Sequence, residues 1–265
     1  MLRFGTGFDL DFVLFTHFHG DHYLGIVGFL RTMAMGGRTD ALSLYGPRPF
    51  IDDQLPTLIA LGGGGLTFPL HYRGLSGDDR IERDGYTVRA VGVDHRVPAL
   101  GYVLEEPMRP GEFQVGHARE LGVPEGPLYG RLQTGQEVTL ADGRTIHPHD
   151  VLGPARRGRK LAFSGDTRPC IALAQAASGA DLLVHDSTFA NTEQARAIET
   201  GHSTAAEAAG VAVRAGAREL LLTHFSSRHD AAPEVLADEA RAEFDGAITI
   251  GEDGLATEIP FPTDA

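Results

Sequence analysis

A single cysteine, Cys170, stands in 265 residues, so no disulfide can form within the chain. That suits a reducing compartment, and a cytoplasmic location is the expectation. Long apolar runs are missing too. Nothing approaches the roughly 18 consecutive apolar residues of a membrane span, and Asp9 and Asp11 interrupt the apolar stretch near the N-terminus. Neither a membrane span nor a signal peptide is expected. Positive charge is scarce: 23 Lys and Arg face 36 Asp and Glu, a net charge of −13. This argues against a broad nucleic-acid-binding surface, while leaving room for local basic contacts and for a metal site that brings its own charge. Internal repeats and low-complexity segments are also lacking. The hydrophobic content of 42% is that of an ordinary globular protein, and the length suits one domain with a large core.

The stretch Phe12-Val13-Leu14-Phe15-Thr16-His17-Phe18-His19-Gly20-Asp21-His22 organises the chain. Its apolar β-rich start reads as a buried strand, and His17, His19, Asp21 and His22 crowd its carboxyl end. Open α/β sheets place their ligands at such ends. Imidazoles and a carboxylate are what Zn²⁺ or Mn²⁺ takes at neutral pH. A surface loop that merely happens to be histidine-rich is the bland alternative, and four ligand types at this spacing after a strand weigh against it.

Further along, helices are expected at Tyr23 to Met35, Phe50 to Leu61 and Pro169 to Ala177. Another should run through the alanine-rich stretch ending at Ala215, opened by Thr204 and Glu207 at capping-box spacing. The last helix should start near Pro233. Strands are expected at Ala41 to Tyr45, Tyr86 to Val93, Lys160 to Ser164, Asp181 to Val184 and Glu219 to Leu222, with a final pair around Ile248 and Ala256. Residues 105 to 158 are rich in Gly, Pro and charge, with little periodicity, and read as an arm or insertion. Alternating strands and helices give an α/β or layered α+β class.

Predicted strands run out into His17, His95, Asp166, the His185-Asp186 pair and His224. Strand ends on one sheet edge would bring these groups into one cleft with His19, Asp21 and His22. That is enough N and O ligand for two metals, with Asp166 a candidate bridge. The lack of thiolate favours a hydrolytic site over a structural one. Two ions roughly 3.5–4 Å apart stabilise both the attacking and the leaving oxygen in a phosphoryl displacement.

The stretch T-H-F-H-G-D-H resembles the signature of the metallo-β-lactamase superfamily. Between about residues 10 and 230 the chain is similar to the short-form ribonuclease Z family of tRNA 3′-processing endonucleases. The likeness is carried by D-H-R-V-P-A-L-G-Y at 94 to 102, G-P-L-Y-G-R-L at 126 to 132 and S-G-D-T-R-P at 164 to 169. H-D-S-T-F at 185 to 189, G-H-S-T-A at 201 to 205 and T-H-F-S-S-R at 223 to 228 complete it. The resemblance implies a four-layer αββα sandwich and a zinc-dependent endoribonuclease that takes the 3′ trailer off precursor tRNA. It implies two Zn²⁺ per chain, with Mn²⁺ an acceptable substitute. His17, His19 and His95 would hold one ion, Asp21, His22 and His224 the other, and Asp166 both. Asp21 would double as the base for the nucleophilic water. His202 would protonate the leaving 3′ oxygen, supported by Asp186 where the family more often has Glu. Residues 105 to 140 resemble the arm that grips the tRNA elbow, within one domain spanning 1 to 265, usually in a homodimer.

One departure stands out. The family usually carries several strands, a G-T-x-x-x-x-P turn and a D-C-G-E-G-T-Q segment before the first histidine cluster. Here eleven residues precede Phe12, and no such segment follows Gly5-Thr6-Gly7. N-terminal strands of the first sheet are therefore expected to be missing, along with a carboxylate near the metals. Four bland readings stand beside these, one being that His202, just ahead of a helix, belongs to a capping loop. His71, His117, His147, His149 and His229 are expected at the surface. Cys170 is expected in the core. Arg156, Arg157, Arg159 and Lys160 fit a solvated turn as well as a phosphate contact. A relative acting on a small phosphodiester, aryl sulfate or thioester is the alternative function, and a folded but inactive remnant is a third.

Overall fold

The computed structural model describes residues 8–229 and 232–262, so Gly5-Thr6-Gly7 lies outside it. The chain divides into two compact units, one made of residues 8–104 and 160–259 and one of residues 105–159 with 260–262.

The larger unit holds two sheets. The first is parallel, in the order β1 (Phe12–Leu14), β2 (Leu42–Pro47), β3 (Leu70–Leu75). The second runs β12 (Ala247–Ile250), β11 (Glu219–Thr223), β10 (Leu182–Asp186), β9 (Lys160–Phe163), β6 (Leu100–Glu105), β5 (Tyr86–Gly92), β4 (Arg80–Arg83). Strands β9 to β12 are mutually parallel, while β4 and β5 form an antiparallel hairpin.

Side-chain alternation turns these sheets into layers. Val13, Leu42 and Leu44 point to a cluster with α2 (Ile26–Met35) and α3 (Phe50–Leu61), whereas Phe12, Leu14 and Tyr45 point the other way. On the second sheet Val88, Ala90, Leu100 and Tyr102 meet that same inner cluster. Val91 and Val103 face a third cluster with α7 (Ile171–Ala176), α9 (Ala205–Ala215) and α10 (Glu234–Arg241). The result is the expected helix–sheet–sheet–helix order. Helix α9 lies close against its sheet because Ala205, Ala208, Ala209, Ala212 and Ala215 are small and share one buried face.

Some expectations shift. The Tyr23 to Met35 helix breaks into α1 (Gly20–Tyr23) and α2, with Gly25 as the N-cap of α2. No strand forms around Ala256: residues 252–258 are all exposed, so no packed face rewards pairing. Strands β3, β4 and β6 are additional to those expected. In β6, Leu100 to Val103 are buried whichever way they point.

In the smaller unit, α4 (Val115–Glu120), α5 (Pro127–Gln133), α6 (Pro148–Val151) and the hairpin of β7 (Val138–Thr139) and β8 (Thr145–Ile146) enclose a core of their own. Ala118, Val123, Leu132, Val138, Leu140, Ile146 and Val151 are all buried there. The expected arm boundary at 140 therefore falls inside a packed unit, because Ile146 and Val151 complete a core that Ala118 and Leu132 begin. Low periodicity reflected the shortness of these elements. Phe261 lies between the guanidinium groups of Arg109 and Arg159, 3.7 and 4.5 Å from its ring centre. Arg159 also pairs with Glu106, so the cationic run at 156 to 160 is partly structural.

Candidate metal centre

Parallel pairing puts the carboxyl ends of β9, β10 and β11 on one edge, and chain crossings bring the loop after β1 to the same place. Leu100 N donates to Thr16 O at 2.8 Å, and Tyr102 Oη donates to Phe15 O at 2.6 Å, tying that loop to β6. Gly165, at φ +60°, allows the closest approach: a Cβ there would stand 2.8 Å from Thr16 Cβ. Only glycine lets the loops of His17 and Asp166 meet.

Asp166 Oδ2 is the hub. It lies 3.5 Å from His17 Nε2, 3.3 Å from His22 Nε2 and 3.4 Å from His224 Nε2. Two ligands held about 2.0–2.1 Å from a tetrahedral ion lie about 3.3 Å apart, so this is ligand spacing rather than tight hydrogen bonding. His17, His19 and His95 offer nitrogens within 4.8 Å of one another, as do Asp21, His22 and His224 with their nitrogens and carboxylate oxygen. His17 is fully buried, and its Nε2 has no hydrogen-bond partner. Burial lowers its pKa to about 4, so the ring is neutral with its lone pair turned into the cluster.

The second nitrogens of several rings are engaged, which fixes their tautomers. His95 Nδ1–H donates to Gly201 O at 2.7 Å, freeing Nε2, which stands 3.2 Å from His19 Nδ1. Gly201 itself, at φ +77°, would bring a Cβ within 3.1 Å of that His95 nitrogen. Thr188 Oγ1 donates to Asp186 Oδ1 at 2.6 Å and accepts from His224 Nδ1–H at 2.8 Å. His224 also has a left-handed backbone at φ 64°, rare for a residue with a side chain. Such strain is held where the surroundings over-determine it. Burial acts to raise the Asp166 pKa, but the facing His22, His224 and His17 hold it well below the usual carboxylate range. In turn, the facing Asp166 carboxylate raises His22. Nitrogen and carboxylate donors without thiolate, ligand-like spacing and an orphaned buried imidazole nitrogen together fit a metal-binding site.

Asp186 and His202 stand beside this cluster. His202 Nδ1–H donates to Asp186 Oδ2 at 2.9 Å, so the shorter Asp reaches the ring directly. Asp186 is fully buried and also accepts from Thr167 N at 3.0 Å and from Thr188 N at 3.0 Å. Burial opposes protonation of His202, yet the Asp186 contact holds its pKa above the ordinary histidine value. The His202 ring centre is 5.1 Å from that of His95 and 5.1 Å from that of His224. His185, by contrast, does not join the cleft. Alternation along β10 turns it away from Asp186; it is fully buried, donates Nδ1–H to Asp186 O, and leaves Nε2 unpartnered. Thr188 and Arg168 were not singled out from sequence, because a threonine or an arginine inside a motif gives no hint of its partner.

A family model described as a beta-lactamase superfamily domain matches residues 132–225. Among curated proteins, the chain is 56% identical over 261 residues to a Ribonuclease Z of Myxococcus xanthus, covering 98% of this chain and 85% of that protein. It is 47% identical to a Ribonuclease Z of Gemmatimonas aurantiaca, covering 98% and 82%. Among solved structures, the fold matches human tRNase Z, short form, with a TM-score of 0.59 and 21% identity over 95% of this chain and 80% of that one. It also matches the metallo-beta-lactamase fold protein YhfI from Bacillus subtilis, with a TM-score of 0.61 and 19% identity over 92% and 75%. A core of two sheets clad in helices, a histidine–aspartate cluster at their shared edge and near full-length identity to these relatives lead to one conclusion: the chain belongs to the ribonuclease Z family of the metallo-β-lactamase fold.

Proposed function

We propose that this protein is a metal-dependent endoribonuclease that cuts the 3′ trailer from precursor tRNA and leaves a 3′-hydroxyl on the tRNA. The observation that carries it is the Asp186–His202 pair beside the seven-residue cluster, in a chain 56% identical to a named Ribonuclease Z. A leaving 3′ alkoxide needs a proton, and His202 Nε2 is free to give one while Nδ1 stays bonded to Asp186. Hydrolysis of an activated small ester would need no such pair.

His17, His19 and His95 would hold one ion, Asp21, His22 and His224 the other, and Asp166 both. Bound there, two divalent ions would lower the pKa of the attacking water and offset charge on the phosphoryl group. Zn²⁺ suits the donor set, and Mn²⁺ is a workable substitute. Asp21, whose side chain is 75% exposed at the mouth of the cluster, takes the water's proton. The P–O bond to the tRNA 3′ oxygen breaks, and His202 protonates that oxygen. The smaller unit supplies binding to the tRNA body, and the working form is a cytoplasmic homodimer. Among the described residues, no helix is long and apolar enough to cross a membrane.

The direct test is to incubate metal-replete protein with a tRNA carrying a 3′ trailer and size the products. Cleavage at the end of the tRNA body supports the reading, and an intact precursor beside rapid turnover of small esters rejects it. Elemental analysis should find two divalent ions per chain, and one or none would overturn the paired assignment.

Removing the smaller unit separates binding from chemistry. Glu106 N donates to Arg159 O at 2.9 Å, so the ends of the segment meet and a short glycine linker can replace residues 107–158. Cutting at 140 instead would strand Ile146 and Val151 without their core. The excised protein should lose tRNA cleavage yet still hydrolyse bis-nitrophenyl phosphate. Parallel loss of both activities would place the segment in the catalytic core's stability rather than in substrate binding.

A further inference from the structure

The sequence places Arg168 two residues beyond Asp166, at a point where three loops of the cluster come together. Its backbone N donates to Asp94 O at 2.7 Å, an isolated bridge that pins the loop leading into His95. Its guanidinium turns toward the loop of His202. There Nη1 donates to the His202 carbonyl oxygen and, at 2.7 Å, to Glu207 Oε2, while Nη2 donates to Glu207 Oε1. Both side chains of this two-pronged pair are only 17% exposed.

Glu207 is itself anchored. It closes the capping box of α9, accepting from Thr204 N at 2.9 Å while its own N donates to Thr204 Oγ1 at 3.2 Å. Gln194 Nε2 adds a bond to Glu207 Oε1 at 3.1 Å. The His202 ring is therefore held by Asp186, and its backbone is held separately by Arg168. Ser203 Oγ, donating to Thr167 O at 2.6 Å, fastens the same loop once more. A guanidinium fork suits this work, because its donors sit in a fixed plane that a lysine cannot reproduce.

We propose that Arg168 is a positioning residue of the cleavage reaction, clamped by Glu207 so that it fixes the His202 backbone and aims the imidazole at the leaving 3′ oxygen. The proposal rests on His202 being the proton donor. A misplacement of about 1 Å in a reacting group can cost about a hundredfold in rate. Loosening the clamp should therefore lower turnover where that proton matters, with little change in KM.

An open cleft of about 640 Å³ lies against the clamp, lined in part by Asp94, Arg168, Gln194, Glu207 and Arg214. It offers a way to replace the missing group. In Arg168→Ala, kcat for precursor tRNA should fall about 10- to 100-fold more than kcat for bis-nitrophenyl phosphate. Guanidinium chloride, kept below denaturing concentrations, should restore much of the tRNA rate in this variant and leave the unmodified enzyme unstimulated. Glu207→Gln serves if Arg168→Ala folds poorly. Glutamine keeps the capping box, and so keeps α9, but loses the charge of the fork. It should show the same substrate-selective loss to a smaller degree, at unchanged metal content. Parallel losses on both substrates, or a tRNA rate that guanidinium does not raise, would make the pair a structural brace only and overturn the proposal. His202→Ala is run alongside. If it shows no selectivity for tRNA, the proton-donor reading fails first; if it does and the clamp variants do not, the clamp alone is refuted.

Discussion

Asp21→Ala should cut turnover of precursor tRNA by about 1,000-fold or more, because proton abstraction and metal binding are lost together. The side chain approaches His22 Nε2 at 3.6 Å and shares a ligand group with His22 and His224, so one ion would lose a donor. Being mostly exposed, Asp21 contributes little packing, and the variant should fold normally. Affinity for precursor tRNA should change far less than kcat. A variant keeping a tenth of the parent rate would rule out the dual role. Elemental analysis of the same preparation shows how much of the loss follows the metal.

His202→Ala should slow tRNA cleavage by about 100- to 10,000-fold, the usual range for general-acid help. Hydrolysis of a nitrophenyl diester should slow much less, since nitrophenolate leaves without a proton. Geometry motivates the contrast: the ring is fixed through Nδ1 by a buried carboxylate, leaving Nε2 as the one nitrogen able to serve substrate. Equal slowing of both substrates would make His202 a structural or substrate-binding residue, with the proton then coming from water.

Much of this site was legible in the chain because its ligands come in short clusters at strand ends. His17, His19, Asp21 and His22 occupy one turn of chain after β1, and local spacing alone brings them near one another. Asp166 lies just beyond β9, Asp186 ends β10 and His224 follows β11, and the apolar runs of these strands are easily read. His185 shows where that reasoning stops. Adjacent residues on a strand point to opposite faces, and the sequence does not say which face opens to the cleft. The smaller unit shows the other limit, since helices of four to seven residues are too short to display a period.

From the sequence alone came the α/β class, the ligand types, the capping box of α9 and the family likeness, because each rests on residues close together in the chain. Tertiary structure decided the rest. The 2.9 Å contact of Asp186 with His202, the tautomers set by Gly201 and Thr188, the close approach allowed by Gly165 and the Arg168–Glu207 clamp all join distant segments. Their existence depends on the register of parallel strands and on how far loops reach beyond them. Those are properties of the packed sheets, which no local spacing encodes.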